Sequence, residues 1–314
     1  MTWHVPRAQA SLAGLLAIEV MVFAAIGTHF FTPSNAAEIG RASAEICLIA
    51  LALTAVILTG GIDLSAGSLL GLCAVTLGSL WRDAGWPIGA AVAAALLVGA
   101  AGGLLNALFI ARLGIAPLIV TLATYSLFRG VAEGITGGVQ NYSNLPEGFL
   151  FAGQGAIAGV PTQVLLVAMA GVGFWLLLHR MTIGRGLRAI GFSPGGARYA
   201  GLPVGRRLAL VYVLSGLCAG IASMLYVARV GQAKADAGTG FELFAITAVV
   251  LGGTSIFGGK GTVGGTVIGI AVIAVLQNGL RLADLPAELS GVLTAALLLA
   301  AICADRFFGG ASQS

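Results

Sequence analysis

The chain has 314 residues, of which 58% are hydrophobic and only 9% charged, with a formal net charge of +4 at pH 7. A water-soluble domain carries roughly 25% charged residues, so these charges cannot clothe a globular surface, and a soluble enzyme or nucleic-acid-binding domain is excluded. Crossing a bilayer as a helix takes about 20 mainly apolar residues, and runs of that kind recur along the chain. Runs such as AAVAAALLVGAAGG at 90–103 show none of the alternation of barrel strands. The expected fold is therefore all-α, a polytopic membrane helical bundle forming one transmembrane domain over 1–314.

The first apolar stretch, 11–31, follows His4 and Arg7 without a small-residue cleavage pattern, so it reads as a retained helix rather than a signal peptide. Segments 43–58 and 64–81 come next, short and divided by a few glycine-rich residues, followed by 87–111, 115–133 and 162–179. The remaining stretches are 208–229, 243–257, 262–281 and 287–307, which makes ten. The second and third, like the eighth and ninth, fit either separate helices or broken ones with a re-entrant turn.

The sequence LTAVILTGG at 53–61 returns as ITAVVLGG at 246–253. Thr54, Ala55, Val56 and Leu58 then match Thr247, Ala248, Val249 and Leu251, with one residue deleted before the glycine pair. Each glycine pair opens a polar turn, GGIDLSAGS or GGTSIFGGKGT. Internal repeats with interrupted helices are how many transporters are built, although a four-residue match also arises by chance in so narrow an alphabet.

Charge assigns the sides. From Arg180 to Arg207 the chain carries Arg180, Arg185, Arg188, Arg198, Arg206 and Arg207 and no acidic residue, which marks a cytoplasmic loop. Counting helices then places both termini in the cytoplasm, and the stretch 134–161, with Glu147 and no lysine or arginine, outside. The loop fits a docking surface or a bare topology signal.

Asp63 is a carboxylate between two apolar segments, a costly placement unless it meets water or a partner. Two roles fit it: capping the next helix, with Ser65 and Ser68 beside it, or gating a pathway. Asn106, Thr121, Thr124, Gln277 and Asn278 also lie in apolar stretches, where they act as interhelical glue or line a route for an uncharged polyol. The GxxxG spacings Gly67/Gly71, Gly99/Gly103, Gly216/Gly220 and Gly261/Gly265/Gly269 fit close helix packing. Cys47, Cys73, Cys218 and Cys303 stand singly in apolar runs and read as small buried hydrophobes.

Several chemistries are missing from the sequence. A phosphate loop fails at Thr254 and Gly261 around Lys260, and His4, His29 and His179 form no catalytic or zinc pattern. No cofactor is expected, and the chain is not expected to be an enzyme.

Taken in order, GGIDLSAGSLLG, GRGLRAIGFSPGGARYAG and LGGTSIFGGKGTVGGTVIG resemble the signatures of the ribose-type ABC importer permeases. The resemblance covers nearly the whole chain and looks closest to rhamnose and autoinducer-2 permeases. It implies import of a small sugar, with rhamnose the first expectation and autoinducer 2 the alternative. The partners it implies are a second permease copy or paralogue, an ABC ATP-binding subunit or tandem ATPase, a periplasmic sugar-binding protein and the surrounding membrane lipid. By the same resemblance Arg185, Arg188, Gly191, Pro194, Ala197 and Gly201 belong to the segment that couples to the ATPase. Asp63, Ser65, Ser68, Asn106, Thr121, Gln277 and Asn278 are then candidates for the pathway or its gate. Ser193 stands where many relatives have asparagine. An ATP-independent secondary transporter is the rival reading.

Overall fold

The structure is a computed structural model that describes residues 7–27, 29–286, 289–297 and 299. Its long helices are α1 (Arg7–Ile26), α2 (Pro33–Leu58), α3 (Ala66–Arg82), α4 (Ile88–Ala107) and α5 (Pro117–Thr136). After a short α6 (Glu147–Gln154) and a two-residue hairpin, β1 (Ala156–Ile157) with β2 (Val160–Pro161), comes α7 (Thr162–Trp175). Helices α8 (Thr182–Phe192) and α9 (Pro194–Tyr199) lead into α10 (Val204–Val230), α11 (Phe241–Leu251) and α12 (Val263–Leu282). Two π turns, Leu108–Arg112 and Leu176–Arg180, prolong α4 and α7.

Six of these helices, counted with their π turns, are long and apolar enough to cross a membrane; α3, α11 and the apolar part of α1 are shorter. The all-α polytopic bundle is therefore as expected, with differences at the boundaries. Helix α2 begins ten residues before the expected 43 (43 − 33), because Thr32 caps it through Asn35 N and Pro33 occupies its first turn. Asn35, Glu38 and Arg41 interrupt the apolar run there without interrupting the helix. Helix α11 stops at Leu251 rather than 257, where Gly252 and Gly253 end it. The expected helix 287–307 lies mostly outside the described residues, which show helix at 289–297.

Helix α2 is the spine, buried without interruption from Ala44 to Leu58. It packs against α7, α10, α11 and α12. Helix α10 lies along α4, and the glycine pairs are what bring them together: a Cβ at Gly216 would stand 2.7 Å from Gly103 N, and one at Gly103 would stand 2.9 Å from Val213 Cα. Glycine on both surfaces lets the backbones touch, the packing that small residues provide in lipid. On α12, Gly265 and Gly269 likewise face the backbone of Gly252 and Ala248 at the end of α11.

The repeat is structural, and it needs no deletion. Thr54 Oγ1 donates to Ala50 O and Thr247 Oγ1 to Leu243 O, each at 2.7 Å. At the helix ends Gly60 N donates to Ile57 O and Gly61 N to Val56 O, while Gly253 N donates to Val250 O and Thr254 N to Val249 O. Gly60 (φ 82°) and Gly253 (φ 85°) both take the left-handed conformation that ends helices most cheaply at glycine. Gly60 therefore corresponds to Gly253, and the extra residues fall within the second turn. The two helix pairs meet where the Thr54 and Thr266 hydroxyls lie 2.7 Å apart.

Beyond their glycines the turns diverge. Residues 61–65 carry no regular secondary structure and are buried or half-buried, so α3 starts inside the bundle, after a re-entrant turn that leads back along α10 from Tyr212 to Ser215. The second turn stays at the end of the bundle, with Phe257 81% exposed, and is a surface turn.

Candidate functional site

Irregular backbone within a membrane bundle persists only where protein satisfies its polar groups, and around residues 59–65 five elements do so. The carboxylate of Asp63, 2% exposed, is the hub. Its Oδ1 accepts from Ser65 N (2.9 Å) and Ser65 Oγ (2.7 Å), and its Oδ2 accepts from Ser215 Oγ on α10 (2.7 Å). Asn106 on α4 donates through Nδ2 to Ser65 Oγ (2.8 Å), and Thr124 on α5 donates to Asn106 Oδ1 (2.7 Å). Thr121 donates to Ile62 O (3.1 Å) and Ser68 to Ser65 O (2.9 Å). Tyr212 lies with its hydroxyl against Gly61, buried and without a hydrogen-bond partner among the described residues.

Asp63, Ser65, Ser68, Asn106 and Thr121 are thus gathered in one cluster, as a shared role requires. The cluster sits roughly 16 Å along α10 from Val204, at about 1.5 Å per residue. Ser65 is the N-cap residue of α3, yet its side chain makes no cap bond. The carboxylate of Asp63 holds its N–H instead, from within the protein rather than at a membrane surface. Ser215 and Tyr212 were not among the expected site residues; their signal is a hydroxyl pair three residues apart on one face of an apolar helix.

Gln277 and Asn278 stand apart from this cluster. They line a cavity of about 490 Å3 between α2, α11 and α12, together with Ser43, Ser290, Arg281 and Asp284. Asn278 exchanges two hydrogen bonds with Asn35, Nδ2 to Oδ1 in each direction at 2.8 and 3.1 Å. Arg281 approaches Glu38 at 3.8 Å near the cavity's rim. The depth of the cavity is set by apolar Ala248 and Ile270, its flank by amides and hydroxyls. The cavity is of a size that small-molecule sites have and its lining is mainly apolar, with amides, hydroxyls, Arg281 and Asp284 among it, whereas the Asp63 cluster is closed.

The arginine-rich end carries α8 and α9. Gly191 seats α8 against the chain, since a Cβ there would strike Leu58 O and Gly259 N. Gly259 N also donates to Leu58 O at 2.9 Å, so α8, the end of α2 and the second turn meet at one point. Arg188 turns inward and donates to Leu178 O (2.7 Å) and Gly261 O (3.5 Å). Pro194 opens α9, whose cap Ser193 accepts from Gly196 N at 3.1 Å. Asparagine in that position would cap equally well. Ala197 packs under α9 with Ile190 and Val204, and Gly201 (φ 78°) makes the turn into α10. What faces outward is Arg185, Arg198 and two aromatics, Phe192 and Tyr199, 82% and 97% exposed.

Lysine and arginine crowd this end: Arg112, Arg180, Arg185, Arg188, Arg198, Arg206, Arg207 and Lys260, with no acidic residue beside them among the described residues. Asp83, Glu133, Glu147, Asp236 and Asp284 lie at the opposite end, mixed with Arg82, Lys234 and Arg281.

A bundle of interrupted membrane helices, with a small-molecule-sized cavity between them and a basic segment at one end, has the construction of a transport permease. Residues 35–302 match the family described as the branched-chain amino acid transport system / permease component. The chain belongs to this family of ABC importer permeases, in its ribose-type carbohydrate branch. It is 40% identical over 299 residues to the autoinducer 2 import system permease protein LsrD of Photorhabdus luminescens, covering 93% of this chain and 89% of that protein. To the proteins of the same description from Yersinia enterocolitica and Escherichia coli K12 it is 39% and 38% identical, covering 93% and 94% of this chain and 89% and 90% of theirs. No solved structure matches.

Proposed function

We propose that this chain is the membrane-spanning subunit of an ATP-driven importer for autoinducer 2 or a closely similar small sugar. The observation that carries the reading is similarity over nearly the whole chain to proteins described as autoinducer 2 import permeases. Of the two substrates the motifs bring forward, the relatives favour autoinducer 2 over rhamnose. The amides and hydroxyls of the Gln277 cavity suit an uncharged polyol, and Arg281 and Asp284, of opposite sign, make no ring of like charge for an ion.

In this reading the chain acts as one transmembrane domain and pairs with a second copy or a paralogue. The arginine-rich end faces the cytoplasm, and the N-terminus lies on that side. A periplasmic binding protein delivers substrate to the cavity's end of the bundle. A separate subunit hydrolyses ATP and docks on α8 and α9, where exposed aromatics ringed by arginines make the kind of surface that binds protein partners. Arg188 and Gly191 act from behind, fixing α8 to α2. Closure of the ATPase then moves α8, and with it the end of α2 and the 59–65 segment, switching the bundle between two access states.

The test is uptake of labelled autoinducer 2, rhamnose, ribose and xylose in cells lacking this permease, with and without the gene restored. Uptake of autoinducer 2 that needs both the permease and its ATPase is the expected result. Uptake that persists without any ATPase would sink the importer reading, and restored uptake of rhamnose alone would move the substrate.

Charge reversal at Arg185 together with Tyr199→Ala is expected to lower co-purification of the ATPase roughly tenfold, the scale of interface anchors. Undiminished co-purification would place the docking surface elsewhere.

A further inference from the structure

A groove of about 680 Å3 runs down the outside of the bundle between α4 and α10. One wall is formed by Ala101 and Leu105 on α4 and by Leu108 on its π turn, and ends at Arg112; Gly205 and Arg206 face them from α10. From Ala101 to Arg112 the groove extends about 16 Å at roughly 1.5 Å per residue, close to half the ~30 Å hydrocarbon thickness of a bilayer. It is therefore apolar for the depth of one leaflet and closes on two arginines where the headgroups lie. Both guanidiniums are exposed, and neither has a hydrogen-bond or ion-pair partner among the described residues. Nearby Arg207, by contrast, is held by Thr182 O and Ile183 O, each at 3.3 Å.

We propose that this groove is a binding site for one anionic glycerophospholipid, its acyl chain along Ala101, Leu105 and Leu108 and its phosphate between Arg112 and Arg206. Basic pockets between membrane helices recognise such headgroups, and guanidinium is the cation best shaped for phosphate. Other occupants fit worse. A sugar would find no acceptors in so apolar a channel, and a water-soluble ATPase has no means of following it a leaflet deep. A second copy of this face would set arginine against arginine.

Native mass spectrometry of the full-length chain in detergent tests the site, with phosphatidylglycerol and phosphatidylcholine of identical acyl chains offered in turn. The wild type is expected to retain phosphatidylglycerol in preference to phosphatidylcholine. Arg112→Ala with Arg206→Ala should weaken that retention roughly tenfold, and lysine at both positions should restore most of it. Gly205→Leu, which fills the groove and leaves the charges, should reduce binding of both lipids. The proposal is overturned if the double alanine variant holds phosphatidylglycerol as the wild type does, or if the wild type does not distinguish the two lipids. Soluble glycerol phosphate binding as strongly as the lipid would also overturn it, as would a change of oligomeric state in Gly205→Leu. None of these readouts depends on the transported substrate.

Discussion

Gly191→Val is expected to lower uptake more than roughly tenfold while the chain still inserts in the membrane. The site has no slack, because the new side chain would meet the backbone of Leu58 on one side and of Gly259 on the other. Overpacking against flexible side chains costs about 1–3 kcal/mol, and backbone yields less readily than a rotamer. Helix α8 must therefore lift away, which separates the docking surface from the end of α2. Gly173 on α7 supplies a control: a Cβ there meets nothing within 4 Å, so Gly173→Val should leave uptake within about twofold, as surface substitutions generally do. Uptake and membrane abundance measured side by side for the two variants decide the matter. Equal uptake would mean that the contact between α8 and α2 transmits nothing.

Asp63→Ala is expected to destabilise the protein by about 3 kcal/mol, because it strips the acceptor from one buried N–H and two buried hydroxyls and each stranded group costs about 1–3 kcal/mol. Rotation of the hydroxyls toward other acceptors keeps the sum below the maximum. Ser215→Ala removes one donor and leaves the carboxylate its two bonds from Ser65, so its cost should be nearer 1 kcal/mol. Asp63→Asn retains one carbonyl oxygen and should fall between. Thermal unfolding in detergent ranks the three variants; an Asp63→Ala protein as stable as the wild type would remove the cluster's structural role.

The parts of this architecture that depend on run length were legible in the sequence. Five of the six long spans, the basic segment and the glycine pairs follow from the bilayer's thickness, the positive-inside rule and the need for close approach, all of which act residue by residue. Boundaries failed where a local rule met tertiary context: Asn35, Glu38 and Arg41 read as the end of an apolar run, yet they form the outer turns of α2. Matching letters also misplaced the repeat by one residue, since what is conserved between the halves is the left-handed glycine after the helix, not the glycine pair. Ser215 was out of reach for another reason. Its meaning comes from a carboxylate 152 residues earlier, and the hydroxyl pair it forms with Tyr212 marks a helix face without saying what that face meets. The unlike fates of the two turns were hidden for the same reason, because burial of the first is made by α4, α5 and α10 together.

That separation bears on how the protein is made. At about 5–20 residues per second, the 152-residue separation of Asp63 and Ser215 takes roughly 8–30 s to synthesise. Throughout that interval the carboxylate has only Ser65 and the growing bundle for company. The turn between α2 and α3 therefore gains its full set of hydrogen bonds only once α10 has been made. The break between α2 and α3 is thus completed late, although it is written early in the chain.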